Sequence, residues 1–371
     1  MIKLYLYSCM LLLAVIWKPA NAATDQILFV GTSAKQDGIF VCTMNLQTGA
    51  FSPARAVGDA SQPTFLALHP KMPVLYAVTK EKEAPSGGVR AFHMDLSAPS
   101  LTLINRQSTA DEGATHLALD PAGKAIVVAN YSGGSTALLA IGDYGDVKAH
   151  SMLIEHEGSS IDPNRQQAPH AHGVAFDSQG RFACVADLGT DEVIVYRLAA
   201  GKLTRKNVWN AKPGAGPRHL AFHPNGRWLY CINELDSTLS TLILDESTGA
   251  LSELQTIGTL PADFASPNTT AEVVVHPSGK FVYISNRGHD STAAFAIDAQ
   301  SGQLSLIEIE PTGGGHPRFI GIEPSGRYLI AANRDGNNLV SFQIDPATGT
   351  LTPTGHELSI PRPMCVVFPV P

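Results

Sequence analysis

Basic residues are in deficit: 26 Lys and Arg stand against 33 Asp and Glu. An acidic balance of this kind disfavours nucleic acid and anionic membrane surfaces as partners. Cysteine is scarce as well. Beyond Cys9, the thiols of Cys42, Cys184, Cys231 and Cys365 are dispersed inside apolar segments with no CxxC spacing, which reads as buried thiols and not as a metal or redox motif. Helical periodicity of useful length is missing, and no stretch after the first twenty or so residues is apolar enough to cross a bilayer.

The one long apolar run, from Leu4 to Trp17, follows Lys3 and precedes Lys18-Pro19 and Ala20-Asn21-Ala22, a small-x-small cleavage signal. The run is shorter than the roughly 20 residues that a membrane span needs. A cleavable signal peptide over residues 1–22 is therefore expected, followed by one domain over 23–371 in a periplasmic or secreted protein that keeps no membrane attachment. Losing Lys3 and Lys18 leaves 24 basic residues against 33 acidic ones, a net charge of -9.

In place of helices there is a repeat of about fifty residues. Its turn recurs as His69-Pro70, Asp120-Pro121-Ala122-Gly123, Asp177-Ser178-Gln179-Gly180, His223-Pro224-Asn225-Gly226, His276-Pro277-Ser278-Gly279 and Glu323-Pro324-Ser325-Gly326. Pro at the second position and Gly at the fourth suit a type I turn. Runs of Val, Ile, Leu, Phe and Tyr on either side read as buried strands. A second marker, clearest as Ser247-Thr248-Gly249-Ala250, Ser301-Gly302-Gln303 and Thr348-Gly349-Thr350, reads as a hairpin between two outer strands.

A copy of that second marker, Thr48-Gly49-Ala50-Phe51, stands near the N-terminus without a first marker before it, and the missing half lies at the other end, in Met364 to Pro369. Seven four-stranded units, the last closed by strands from both termini, predict an all-β, seven-bladed β-propeller. In such a ring, residues just before each innermost strand and just after each second strand gather on one face. The first register holds Thr64, Thr115, His172, Arg218, Ala271, Arg318 and Pro363, and the next place holds His116, His219 and Glu272 among others. The second strands end in pairs such as Asn130-Tyr131, Asn233-Glu234 and Asn286-Arg287. Arg and Glu are rarely buried unless paired, so the charged members form a candidate site, with His170 and His316 just outside. His223 and His276 fall on the opposite face, where turn packing accounts for them.

The stretches Pro169-His170-Ala171-His172-Gly173, Asp187-Leu188-Gly189-Thr190-Asp191, Gly216 to Pro224 (GPRHLAFHP), Asn233-Glu234-Leu235, Ala271-Glu272 and Ser285-Asn286-Arg287-Gly288 resemble the seven-bladed propeller lactonases. That family includes the bacterial 6-phosphogluconolactonase of this fold and, more distantly, the fungal carboxymuconate lactonizing enzyme. The resemblance implies a catalytic set of Glu234, Arg218, Arg287 and one of His172 and His170, with His219, Glu272, Arg318, His116, Asn233 and Asn286 as substrate-binding candidates. It departs from the usual family pattern at Thr115, where Cys is frequent, and at Thr79-Lys80, where Asn-Glu is common. The implied reaction is hydrolysis of a sugar or carboxylated lactone, with Glu234 or a histidine activating water and the guanidiniums holding an anion or the oxyanion. Arginine outnumbers carboxylate at the mouth and repels cations, so neither a metal nor another cofactor is expected. Two other readings use the same face: lactone formation by the reverse addition, and a non-catalytic scaffold. A scaffold predicts an open mouth with exposed aromatics, and an enzyme predicts a recess holding Arg218, Glu234 and Arg287.

Overall fold

The computed structural model describes residues 25–34, 38–81 and 85–369. The expected signal peptide lies outside the described residues. Among the described residues, twenty-eight strands make seven four-stranded antiparallel sheets, and no helix is long and apolar enough to cross a membrane. The innermost strands are Phe65–Leu68, Ala114–Leu119, Ala171–Phe176, Pro217–Phe222, Thr269–Val275, Pro317–Ile322 and Pro363–Val367, in the first to seventh blades. Each packs on the next, and the seventh returns to the first.

The second strand of every blade is sandwiched between neighbouring blades, so it is apolar on both faces and not alternating. Trp228–Asn233 and Phe182–Asp187 are buried along their whole length. Trp228, Tyr230 and Ile232 pack on Val273, Val282 and Ile284 of the fifth blade, so the core lies between blades and not within one. Each such side chain stabilises the ring by about 1.5–3 kcal/mol. Outermost strands such as Leu251–Gly258 are exposed along much of their length.

Both sequence markers are turns. In the hairpin marker, Asn45, Asp245, Asp298 and Asp345 each accept backbone N–H groups two and three residues ahead. Gly49, Gly249, Gly302 and Gly349 follow at φ of 76 to 79°, a conformation that favours glycine. The other marker closes the face away from the site in two ways. Asp120, Asp177 and Glu323 cap their own turns, accepting from Ala125, Phe182 and Arg327 N–H. His69, His223 and His276 instead accept a backbone N–H at Nδ1, which leaves the ring proton on Nε2. That proton is donated to Gly123, Gly279 or Gly326 O of the next blade, at 3.0, 2.8 and 2.8 Å. These histidines staple blades together, as their place in the repeat suggests.

In the seventh blade the C-terminal strand pairs with the N-terminal one, Phe29 opposite Val367, Val30 opposite Val366 and Gly31 opposite Cys365. No sheet edge is left at the junction where the ring closes.

Candidate active site

Six of the seven innermost strands carry one extra residue against their second strand, always at the same end. The register slips at Thr115, at His172, within Arg218-His219, within Ala271-Glu272, at Arg318 and at Met364. A β-bulge re-aims the side chain it carries. Here the bulges turn a ring of strand residues toward the central mouth. Close approach assists: a Cβ on Gly173 would strike the Arg218 carbonyl oxygen, so glycine lets the bulges of His172 and Arg218 lie side by side.

At the centre sits Glu234, which follows the second strand of the fourth blade. Arg218 Nε donates to its Oε2 at 2.8 Å, Arg287 Nη2 lies 3.0 Å from the same oxygen, and Arg165 Nη2 donates to Oε1 at 2.7 Å. Arg218 also donates to Ala271 O, and Arg287 to Thr270 O, so the cluster ties the fourth blade to the fifth. Arg218 and Glu234 are only 1% and 3% exposed, deep enough that an unpaired charge would cost several kcal/mol. Burial alone would raise the Glu234 carboxyl, but Arg287, Arg218 and Arg165 outweigh it and hold it well below the ordinary carboxylate range. Glu234 is thus a fixed anion. Burial, aided by the neighbouring Arg287, lowers the Arg218 guanidinium to about 10.

His172 lies beside this cluster, its Nε2 4.0 Å from Glu234 Oε2 and its Nδ1 buried without a partner. Burial, then Arg218, holds it well below the usual imidazole range, so it is neutral at pH 7. Next to it is a second imidazole, His219, whose Nδ1 is 3.0 Å from Glu272 Oε1. The ring of His116 lies between Phe65 and His219, tilted 35° to the first and edge-on to the second, with centroids 3.8 and 4.8 Å away. Arg318 has neither a hydrogen bond nor an ion pair among the described residues. Burial, then Arg218 and Arg287, press its guanidinium well below the ordinary arginine value.

These residues wall two adjoining recesses of about 100 and 230 Å³ that share Thr115, His172 and Arg318. The smaller also holds Phe65, Arg218 and His219, and the larger Tyr131, Arg165, Glu234 and Arg287. Of the expected catalytic residues, Glu234, Arg218, Arg287 and His172 therefore meet in one place. His170 does not: it stacks on Tyr131 at the rim, 4.5 Å between centroids, and its Nδ1 bonds Tyr131 O. Asn233 and Asn286 also correct the expectation of substrate contact. Their side chains turn back into the blades, Asn233 onto Thr238 and Ser240 and Asn286 onto Thr259 and Ser291, because each must satisfy the turn between second and third strands. His116 and Glu272 do not line either recess, and both touch His219.

Arg165 was missed by the repeat because it is not part of it. It sits in residues 156–170, the longest connection between blades, and length was the available signal. The connection is anchored where it begins: His156 Nδ1 lies 2.6 Å from Asp187 Oδ2, and Asp187 Oδ1 accepts from His170 N at the far end. Gln166 Nε2 bonds Leu188 O. Tyr131, whose hydroxyl accepts from Arg165, falls in the second-strand register but carries no charge to mark it.

A recess with buried arginines, one fixed carboxylate and neutral imidazoles is suited to binding an anion and moving a proton beside it. The family model for the seven-bladed β-propeller lactonases matches residues 27–368. The 6-phosphogluconolactonase of Bacillus subtilis is 32% identical over 347 residues, 93% of this chain and 99% of its own. That of Formosa agariphila is 32% identical over 80% of this chain and 86% of its own. Among solved structures, the periplasmic gluconolactonase of Pseudomonas aeruginosa superposes with a TM-score of 0.88 at 29% identity, covering 93% of this chain and 99% of that one. By fold, by sequence across nearly its whole length and by family model, this chain belongs to the seven-bladed β-propeller lactonases.

Proposed function

We propose that this protein hydrolyses a lactone carrying an anionic group, in the recess at the centre of the propeller and without a metal. One observation carries the reading: Arg318, a guanidinium with no protein partner among the described residues, faces both recesses, beside Arg218 in the smaller and Arg287 in the larger, and those two arginines share the single fixed carboxylate Glu234. Positive charge there exceeds negative charge, which favours a carboxylate or phosphate on the substrate and then the oxyanion on its carbonyl. That excess also supports metal independence. The names of relatives support a sugar lactone.

Glu234 is held by three guanidiniums and is a poor base. His172, neutral and open to both recesses, accepts the proton of the attacking water. A recessed mouth with Arg218, Glu234 and Arg287 buried favours an enzyme over a scaffold. The test is opening of 6-phosphoglucono-δ-lactone by wild type, Arg218→Ala and Glu234→Gln. A drop in kcat/KM of at least about 100-fold is expected for each, and unchanged values in both would overturn the assignment. Activity lost to a chelator and restored by calcium would overturn metal independence.

Residues 1–22 support export, with cleavage after Ala22. N-terminal sequencing of the protein from the periplasmic fraction is expected to begin at Ala23. An intact Met1 on active protein confined to the cytoplasm would oppose export.

A further inference from the structure

Ring opening has two proton transfers, one from the attacking water and one to the ring oxygen that leaves, and the recess has two imidazoles. The rings of His172 and His219 are 5.1 Å apart at 66°, and both line the smaller recess. His219 differs in having a carboxyl behind it. Glu272 Oε1 lies 3.0 Å from His219 Nδ1 and also accepts Val273 N–H at 3.1 Å. Its Oε2 is buried with no partner. A carboxylate placed only to tie the ring together would use both oxygens, whereas one with a stranded oxygen in a dry site favours its protonated form.

On the reading above, we propose that the His219–Glu272 pair is the acid of the reaction: His219 protonates the departing ring oxygen, and Glu272 positions it and resupplies the proton. As water attacks, its oxygen bonds to the carbonyl carbon while one proton goes to His172 Nε2. The bond from that carbon to the ring oxygen then breaks, and its electron pair stays on the ring oxygen. That oxygen takes the proton of His219 Nε2, while His219 Nδ1 takes the proton of Glu272. The products are a hydroxyl and a carboxylic acid. His172 then loses its proton to solvent, His219 Nε2 takes one from solvent, and His219 Nδ1 returns its proton to Glu272, so the enzyme returns unchanged.

Surrounding charges are consistent with this division. Glu272 faces His116, Arg218 and Arg318, which favour its anion, but burial is stronger and raises it to about 7. Cys365, whose buried thiol is neutral, is also near. His219 faces Arg218, Arg318 and Arg287, with Glu234 opposing them, and burial keeps it neutral. A neutral His219 can hold its proton on Nε2 only while Glu272 donates to Nδ1.

The test compares leaving groups. Glucono-δ-lactone expels an alkoxide, which needs the acid, and dihydrocoumarin expels a phenolate, which does not. In Glu272→Gln and His219→Asn, kcat for the sugar lactone is expected to fall at least about 100-fold, and kcat for the aryl lactone less than about tenfold. His172→Asn is expected to lose both. Thermal midpoints identify any variant that fails to fold. Equal losses on the two lactones in folded Glu272→Gln and His219→Asn would overturn the proposal and leave the hydrolase reading intact. The second arm is the pH profile for glucono-δ-lactone. Wild-type kcat should decline as pH rises through about 7, and Glu272→Gln should lack that limb. A wild type without the limb overturns the pair's role, and a wild type that opens neither of these lactones nor 6-phosphoglucono-δ-lactone overturns both readings.

Discussion

Arg218 and Arg318 wall the same recess, yet only Arg218 has a carboxylate, Glu234 at 2.8 Å. Among the described residues, the Arg318 guanidinium is left without a carboxylate. Replacing it with methionine removes repulsion from Arg218 and Arg287, so Arg318→Met is expected to leave the thermal midpoint unchanged or raise it. KM for a phosphorylated lactone should rise at least about tenfold, the loss of a hydrogen bond to a charged group, with a smaller effect on a neutral lactone. A fall in thermal midpoint with unaltered KM would show that Arg318 is structural.

Glu234→Gln leaves the guanidiniums of Arg165, Arg218 and Arg287 without their common anion. The expected loss is about 3–5 kcal/mol, read by denaturant unfolding at pH 7. The sign with pH follows from a carboxyl held below its ordinary value of 4.5. Its stabilisation is complete above that value and is lost as pH falls toward the folded-state value. The difference between wild type and variant should therefore narrow below about pH 4.5, and a gap that widened on acidification would contradict the ion cluster.

Arg165 is about one-third exposed at its side chain, so its ion pair contributes little to stability. Arg165→Ala is expected to shift unfolding by less than about 1 kcal/mol. It should reduce kcat/KM on an anionic lactone by about 10-fold or more, since it loosens Glu234 and widens the larger recess. Large destabilisation with full activity would make it a fastener only.

On the far face, His276→Ala breaks the bond to Gly326 O and orphans a backbone acceptor. A loss of about 1–2 kcal/mol with unchanged kcat is expected, because the staple is remote from the recess. Altered kcat would imply coupling between the faces.

The four thiols Cys42, Cys184, Cys231 and Cys365 are free and buried, and burial pushes the Cys42 thiol up to about 12. Native protein should not react with a thiol-specific reagent within minutes, and reductant should not change its thermal midpoint. Fast labelling of the native fold would contradict the packing.

The ring, its seven blades and its closure were legible because turns repeat: a Gly at positive φ and an Asp or His at a strand end leave a periodic trace. The mouth was legible from the same arithmetic, which brought Arg218, Glu234, Arg287 and His172 together. Three things left no such trace. Bulges are made by backbone register, and nothing in Arg218-His219 marks where the slip falls. Asn233 and Asn286, at matching places in their second strands, turn back onto Ser240 and Ser291 of their own blades while the next residues, Glu234 and Arg287, reach the mouth, and residue type alone does not mark that division. Arg165 reaches the centre from outside the repeat.

The pairing of Phe29 with Val367 joins residues 338 positions apart in the chain. Six blades can be complete while the ring is still an open arc, because the seventh sheet takes strands from both sides of it, Asp25–Thr32 and Pro363–Val367. Assembly of this ring thus waits on its most nonlocal strand pair, and contacts so far apart in sequence close slowly.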